Sequence, residues 1–129
     1  MADKTSKQKI GQIGEDLACK FLVKHGFSIV TRNYLKPFGE IDIICSKNGI
    51  THFVEVKCVS RLTNYSNVDN YRPEDNIHNL KLVRIARTVQ AYIFETDLKN
   101  DEWKFDIITV QLDNNNKTAK VGGMFDLIL

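Results

Sequence analysis

The stretch GEIDIICSKNGITHFVEVK, residues 39–57, predicts two antiparallel strands joined by a tight turn. Asn48-Gly49 lies between two apolar runs and favours a two-residue turn, in which both positions adopt positive φ. Counting outward from that turn pairs Lys47 with Ile50, Ile44 with Phe53, Asp42 with Glu55 and Glu40 with Lys57. The hairpin therefore places two carboxylates and a lysine on one face of a sheet.

Side-chain alternation divides this hairpin into a charged face and an apolar face. The apolar face, which we expect to be the core face, carries Ile41, Ile43, Val54 and Val56. The face with Asp42, Glu55 and Lys57 is expected to lie outside the core. These expectations depend on the turn, because a three-residue turn would move Asp42 and Glu55 to opposite faces.

Two carboxylates opposite each other on paired strands call for a compensating positive charge. With Cβ atoms ~5 Å apart, Asp42 and Glu55 repel by ~3 kcal/mol at an effective dielectric near 20. Mg²⁺ (or Mn²⁺) suits such a pair, since Mg²⁺ keeps most of its waters and needs one or two carboxylates plus a substrate phosphate. Lys57 adds a positive charge beside an attacking water or a phosphate. The alternative is a solvated hairpin face, where Glu40 pairs with Lys57 and Asp42 points to water.

Composition describes an ordinary globular chain. With 129 residues, of which 43% are hydrophobic and 26% charged, we expect one domain over residues 1–129. The formal net charge of +2 does not by itself indicate nucleic-acid binding. Three cysteines without zinc-ligand spacing, no apolar signal region and no apolar run of membrane-spanning length predict a reduced, cytoplasmic protein without a membrane partner.

The remaining pattern predicts the element order α-β-β-β-α-β, an α/β fold with a mixed central sheet flanked by helices. Besides the hairpin, the predicted elements are a helix over about 6–25, a strand over 27–34, a helix over 79–95 and a strand over 104–112. A polar loop over 60–76 is long enough to be functional or disordered. Residues 113–129 form a terminal extension with a short strand over 117–121 and an apolar tail over 125–129.

Four motifs and their spacing resemble the YraN-like family of small bacterial proteins. They are GEDLA at 14–18, PFGEIDII at 37–44, FVEVK at 53–57 and KFDII at 104–108. An aspartate on the second predicted strand and Glu-x-Lys on the third also resemble the core of the restriction-endonuclease-like superfamily. Within it, the chain is similar to archaeal Holliday junction resolvases. The resemblance covers roughly residues 10–112.

The resemblance implies a metal-dependent nuclease, or nuclease-like enzyme, that acts on DNA phosphodiesters. It assigns Asp42 and Glu55 to the metal and Lys57 to the attacking water. Glu15 matches a glutamate that the resolvases add from their first helix, and it lies about 100° from the centre of that helix's apolar stripe. It therefore either reaches past the sheet edge to the metal or is a solvated flank residue. By analogy with the resolvases, we expect branched DNA as substrate and a homodimer.

Two further questions stay open at the level of sequence. Candidate DNA-phosphate contacts are Lys81, Arg84 and Arg61, although Arg61 lies further from Lys57 than the family pattern places its arginine. A charged helix face that is merely solvated is the alternative for Lys81 and Arg84. The rival function is a non-catalytic nucleic-acid-binding or partner-binding module that retains the fold. The sequence assigns no role to Asp106 and no natural substrate.

Overall fold

The computed structural model describes residues 6–61, 79–98, 102–113, 115–127 and 129. These residues form two helices and five strands: α1 (Ser6–Lys24), β1 (Ser28–Lys36), β2 (Gly39–Lys47), β3 (Ile50–Arg61), α2 (Asn79–Thr96), β4 (Trp103–Asp113) and β5 (Thr118–Leu127). Residues 62–76 of the predicted polar loop over 60–76 lie outside the described residues. In the part of the chain described, no helix combines the length and apolar character needed to cross a membrane.

The five strands form one sheet in the order β1-β2-β3-β4-β5. Strands β1, β2 and β3 are successive antiparallel neighbours. Strands β3 and β4 are parallel, because the connection through α2 returns the chain to the end of the sheet at which β3 began. The predicted mixed α/β sheet flanked by helices is therefore confirmed. The predicted short strand over 117–121 is wrong in length, since β5 runs antiparallel to β4 as far as Leu127 and includes the start of the apolar tail.

The predicted hairpin turn is confirmed, and so is its register as far as Ile43↔Val54; the predicted pairs Asp42↔Glu55 and Glu40↔Lys57 are not among the described pairs. Asn48 and Gly49 have φ of 54° and 78°, as a two-residue turn requires. The pairs from Lys47↔Ile50 through Ile44↔Phe53 fall where the count from the turn placed them. Continued outward by strand alternation, this register places the side chains of Asp42 and Glu55 on the same face of the sheet.

The two helices cover opposite faces of the sheet. On one face, α1 packs against a cluster that includes Ile43 and Val54, and on the other α2 packs against a cluster that includes Ile44 and Phe53. The expectation that the charged face lies outside the core is wrong near the turn, because Ile44 and Phe53 are fully buried there. Only the far end of that face, beyond Ile44, carries the charged residues.

Strand alternation is broken at Asp42. The register of β1 with β2 pairs Arg32 with Ile43 and Tyr34 with Ile41, but it omits the residues between them. One of those, Asn33, has a φ of 55°. As a result Ile41, predicted to share a face with Ile43, packs in the α2-side cluster instead.

A glycine at each of two positions permits a helix to approach the sheet closely. A Cβ at Gly39, the first residue of β2, would overlap Thr88 Oγ1 and lie 2.8 Å from the carbonyl oxygen of Arg84 on α2. A Cβ at Gly14 on α1 would lie 2.5 Å from Cys58 Sγ on β3. Because neither glycine has a side chain, each helix can lie close to the end of the sheet that carries Asp42 and Glu55.

Candidate active site

The candidate site begins where β2 and β3 stop pairing. The described register of the two strands ends at Ile43↔Val54. Beyond it, the backbone N–H of Val56 donates to Asp42 Oδ2 at 2.8 Å. In a continued antiparallel ladder this N–H would point toward the backbone of Ile41. The Asp42 carboxyl group therefore takes the place of a ladder acceptor and opens a space between the strands.

That space is a cleft of about 410 Å³ between the sheet and α2. Its lining residues are Gly39, Glu40, Asp42, Glu55, Val56, Lys81, Arg84 and Ile85. The structure thus brings together four of the residues that the sequence singled out, namely Asp42, Glu55, Lys81 and Arg84.

The pKa values of Asp42 and Glu55 are shifted in opposite directions. Burial, the hydrogen bond to Glu55 and the charge of Glu55 raise the pKa of Asp42 from 3.8 to about 9, against the opposing effect of the Val56 N–H. Burial alone would also raise the pKa of Glu55, but the hydrogen bond from Asp42 and the contact with Lys81 lower it. At neutral pH, Asp42 is therefore the protonated partner and Glu55 the carboxylate.

Lys81 supplies the positive charge that balances Glu55. Its Nζ lies 2.7 Å from Glu55 Oε2, and the side chains of Lys81 and Glu55 are 43% and 6% exposed. Apart from this ion pair, Glu55 Oε2 is a buried side-chain oxygen without a hydrogen-bond partner, and no other such atom is found among the described residues. Although burial would lower the pKa of Lys81, its contacts with Glu55 and Lys57 raise it.

Lys57 lies beside this cluster and not beside Glu40. Burial and the contact with Lys81 lower the pKa of Lys57, while the charges of Glu55 and Asp42 oppose that shift. The ion pairs found among the described residues do not include one between Glu40 and Lys57. Burial, followed by the charges of Glu15 and Glu55, raises the pKa of Glu40. The cluster is thus two carboxyl groups facing two ammonium groups.

Glu15 lies near the carboxylate pair but is engaged elsewhere. Arg32 Nε donates to Glu15 Oε1 at 3.1 Å, and Arg32 Nη2 donates to Asp16 Oδ1 at 2.8 Å. The charge of Glu15 still contributes to the raised pKa of Asp42. Within the described residues, no three His, Cys, Asp or Glu side chains already form a metal-ligating group.

The three predicted phosphate contacts lie in two different parts of the structure. Lys81 and Arg84 both lie on α2 and line the cleft, and Arg84 is exposed. Arg61 is the last residue of β3. A phosphate in the cleft would therefore meet α2 first.

His52 and Asp106 form a separate buried pair on the α1 face of the sheet. His52 Nδ1 lies 2.5 Å from Asp106 Oδ2, and the backbone N–H of Asp126 donates to Asp106 Oδ1 at 2.8 Å. Asp106 is fully buried. It therefore ties β3 and β5 to β4, which gives this motif residue a structural role.

Sequence reasoning missed two contacts of the site. Arg32, which holds Glu15 and Asp16, is an isolated basic residue on a strand, and no local pattern identifies its partners. Lys81 was predicted only as a phosphate contact, and its ion pair with Glu55 joins residues 26 positions apart in sequence. Both contacts depend on how the helices dock, which residue spacing does not encode.

Comparison with known proteins assigns the family. Residues 14–110 match the uncharacterised protein family UPF0102. The chain belongs to UPF0102. The YraN-like resemblance deduced from the four motifs is thereby confirmed. The matched range begins at Gly14 and includes the complete hairpin with Asp42, Glu55 and Lys57.

Individual UPF0102 proteins match over most of their length. A UPF0102 protein of Campylobacter jejuni subsp. doylei is 38% identical over 103 residues, covering 80% of this chain and 84% of the relative. One from Persephonella marina is 37% identical over 117 residues, covering 91% and 93%. One from Dictyoglomus thermophilum is 35% identical over 112 residues, covering 87% and 90%. The similarity to UPF0102 thus extends over nearly the whole chain.

Proposed function

We propose that this protein is a metal-dependent nuclease that cleaves DNA phosphodiester bonds, with Asp42, Glu55 and Lys57 at its centre. The observation that carries the proposal is the pair of carboxyl groups in an open cleft, with Glu55 buried and Asp42 partly buried. Burial and the adjacent Glu55 raise the pKa of Asp42 to about 9, so the second negative charge of the pair is strongly disfavoured. Two carboxyl groups held this close in a partly buried position are costly in a purely structural role and typical of a functional one.

The donor set fits a small divalent cation. Carboxylate oxygens are the hard ligands that Mg²⁺ and Mn²⁺ prefer, and two carboxylates suffice when water and a phosphate complete the coordination. Glu55 Oε2 is buried without a hydrogen bond, and its contact is the ion pair with Lys81, so it is an anionic oxygen available as a ligand if Lys81 moves away. Asp42 and Glu55 would hold the ion. Glu15 would join them only by leaving Arg32.

The chemistry divides among a few side chains. A bound divalent cation would polarise the phosphate and lower the pKa of a coordinated water. Lys57, with its pKa lowered by burial and by Lys81, is suited to orient that water and to hold a proton near the reacting oxygen. Lys81 and Arg84 line the opposite wall of the cleft, where their charges would hold the scissile phosphate and balance the charge that develops on it.

Branched DNA and a homodimer are part of the same proposal. Their support is the similarity to the resolvases, because a junction has two strands to cut and one copy of this chain offers one Asp42–Glu55 pair. The small net charge of +2 agrees with a site that grips a few phosphates locally.

A non-catalytic binding module is the second candidate. One observation favours it: Lys81 already neutralises Glu55, and Arg32 already neutralises Glu15. A protein in this state would bind a phosphate through its cationic side chains without turnover. The two candidates differ in whether cleavage depends on metal.

A cleavage assay separates them. Purified wild type is incubated with four-way-junction, flap, single-stranded and linear duplex DNA in Mg²⁺, Mn²⁺ or EDTA. We expect cleavage with metal and none in EDTA. In Lys57→Ala we expect the rate to fall by about 100-fold or more, because the water-orienting charge is lost.

Lys104→Ala is the matched control, since Lys104 is a lysine on a strand that lines a different cleft. It should cleave at the wild-type rate. DNA binding without cleavage by any of these proteins, in any metal, would contradict the nuclease proposal and favour the binding module.

A further inference from the structure

A lysine occupies the position next to the carboxylate pair. Lys81 belongs to the first turn of α2, and its ammonium group lies 2.7 Å from Glu55 Oε2. The Glu55 side chain is almost fully buried, whereas that of Lys81 is close to half exposed. A half-exposed cation that is in contact with solvent therefore covers a buried anion.

The ammonium group and a divalent cation compete for the same oxygen. A Mg²⁺ ion binds a carboxylate oxygen at about 2.0–2.1 Å, so an ion on Glu55 Oε2 would lie within a few ångströms of Lys81 Nζ. In a partly buried cleft such like charges repel strongly, because water and salt screen them poorly. Lys57 contacts Lys81 and adds a second positive charge. The Lys81 ammonium group and a divalent ion therefore cannot both occupy the position at Glu55 Oε2.

We propose that Lys81 is the counter-ion of the Asp42–Glu55 pair in the metal-free protein, and that a divalent cation must displace its ammonium group from Glu55 to bind. The inference rests on the proposed metal-dependent function. It adds that the Lys81 ammonium group occupies the position at Glu55 that the metal would take. Its consequence is that Lys81 has two roles, one in each state of the site.

The displaced side chain remains where a phosphate would bind. Lys81 and Arg84 are three residues apart on α2, so they lie on the same face of the helix and both line the cleft. Once released from Glu55, the Lys81 ammonium group pairs with a DNA phosphate beside Arg84. Metal binding therefore frees a phosphate ligand, which makes metal and DNA binding cooperative.

Metal affinity in the absence of DNA is the test. Mn²⁺ is titrated into wild type and Lys81→Met, and free Mn²⁺ is measured by electron paramagnetic resonance. Met keeps much of the aliphatic stem but removes the competing charge. We expect Lys81→Met to bind Mn²⁺ about tenfold more tightly or better. Its thermal midpoint in EDTA should fall, since Glu55 loses its counter-ion.

Two variants serve as controls. Arg84→Met removes a positive charge from the same cleft without removing a contact to Glu55, so its Mn²⁺ affinity should change less than about threefold. Lys81→Arg retains the charge and should remain within about threefold of wild type. Should Lys81→Met fold poorly, Lys81→Gln carries the same expectation. Loss of structure alone would weaken metal binding, whereas displacement predicts tighter binding together with lower metal-free stability.

The outcomes distinguish this inference from the proposed function. Equal or weaker Mn²⁺ binding by Lys81→Met, with wild-type binding measurable, overturns the inference and leaves the metal-dependent function intact. Mn²⁺ binding that is detected for Lys81→Met but not for wild type supports both the displacement of Lys81 and the proposed metal site. No Mn²⁺ binding by wild type or by any variant contradicts the metal-dependent function and the inference with it.

Discussion

Ionisation of Asp42 makes the stability of this fold depend on pH. Burial and the neighbouring Glu55 raise its pKa to about 9, compared with an ordinary value of 3.8. Between those pH values the native state holds a proton that the unfolded chain does not. Stability therefore falls as pH rises through this window, by up to about 1.4 kcal/mol per pH unit. Above pH 9 both states are ionised and the cost stays constant.

Replacing Asp42 with asparagine should remove this cost. The amide can donate to Glu55 and accept from Val56, as protonated Asp42 does, but it never ionises. We expect metal-free Asp42→Asn to equal wild type near pH 4 and to exceed it by an increasing margin up to about pH 9. Urea unfolding in EDTA at pH 5, 7 and 9 measures the difference.

Asp16→Asn is the control for loss of one negative charge, because Asp16 is an exposed partner of Arg32. It should lack the pH-dependent gain. If Asp42→Asn is less stable than wild type at all three pH values, Asp42 is an ionised structural residue. The argument for a metal site would then lose its basis.

Asp106 is expected to matter for stability and not for chemistry. It is fully buried and binds both His52 and the backbone N–H of Asp126. Asp106→Ala leaves these groups without a partner and should lower the free energy of unfolding by about 2–4 kcal/mol. Denaturant unfolding measures that loss. Mn²⁺ affinity at a temperature where the variant is folded should stay at the wild-type value, and a matching loss of affinity would contradict a structural role.

The β2–β3 hairpin is the element that the sequence predicted best, because its information is local. Asn48-Gly49 adopts the positive φ values that the dipeptide favours, and the register follows from the turn by counting. The break in alternation at Asp42 could not be predicted in this way. It occurs opposite Asn33 of the neighbouring strand, whose positive φ is not required by any local motif.

The distance between α2 and the sheet is controlled by Gly39. A methyl group there would overlap Thr88 Oγ1 and approach the Arg84 carbonyl oxygen, so Gly39→Ala must push α2 outward. We expect a loss of about 1–3 kcal/mol in unfolding free energy, together with weaker Mn²⁺ and DNA binding as Lys81 and Arg84 move. Thermal unfolding and Mn²⁺ titration measure the two effects.

Gly11→Ala on α1 is the matched control. A Cβ at Gly11 meets no atom within 4 Å, so the substitution should be neutral or should stabilise the helix by about 0.5–1 kcal/mol. Equal stability of Gly39→Ala and wild type would show that Gly39 does not control the distance between α2 and the sheet.

For the molecule as a whole, the proposed DNA binding depends on local charge and not on net charge. The formal net charge is only +2, while Lys81 and Arg84 line the cleft and Lys57 contacts Lys81. Arg84→Ala should weaken binding similarly across DNA sequences and reduce the slope of log affinity against log salt by about 1. Fluorescence anisotropy at several salt concentrations measures both. An unchanged slope, as expected for the Lys104→Ala control, would remove Arg84 from the DNA interface.

The sequence predicted the mixed α/β sheet with flanking helices and three of the residues that the structure gathers around the cleft's carboxylates. Asp42, Glu55 and Lys57 share one short hairpin, so periodicity alone relates them. The full length of β5 and the Lys81–Glu55 pair were not predicted. The Lys81–Glu55 pair joins residues 26 positions apart, and the length of β5 depends on its pairing with β4; local propensity determines neither.

Cleavage of four-way-junction DNA by wild type and Asp42→Asn, in Mg²⁺ and in EDTA, tests the central claim most directly. The account predicts cleavage by wild type in Mg²⁺ and none in EDTA. It predicts at least a 100-fold lower rate for Asp42→Asn, although that variant is at least as stable without metal. Cleavage by Asp42→Asn at the wild-type rate, or cleavage that persists in EDTA, would contradict it.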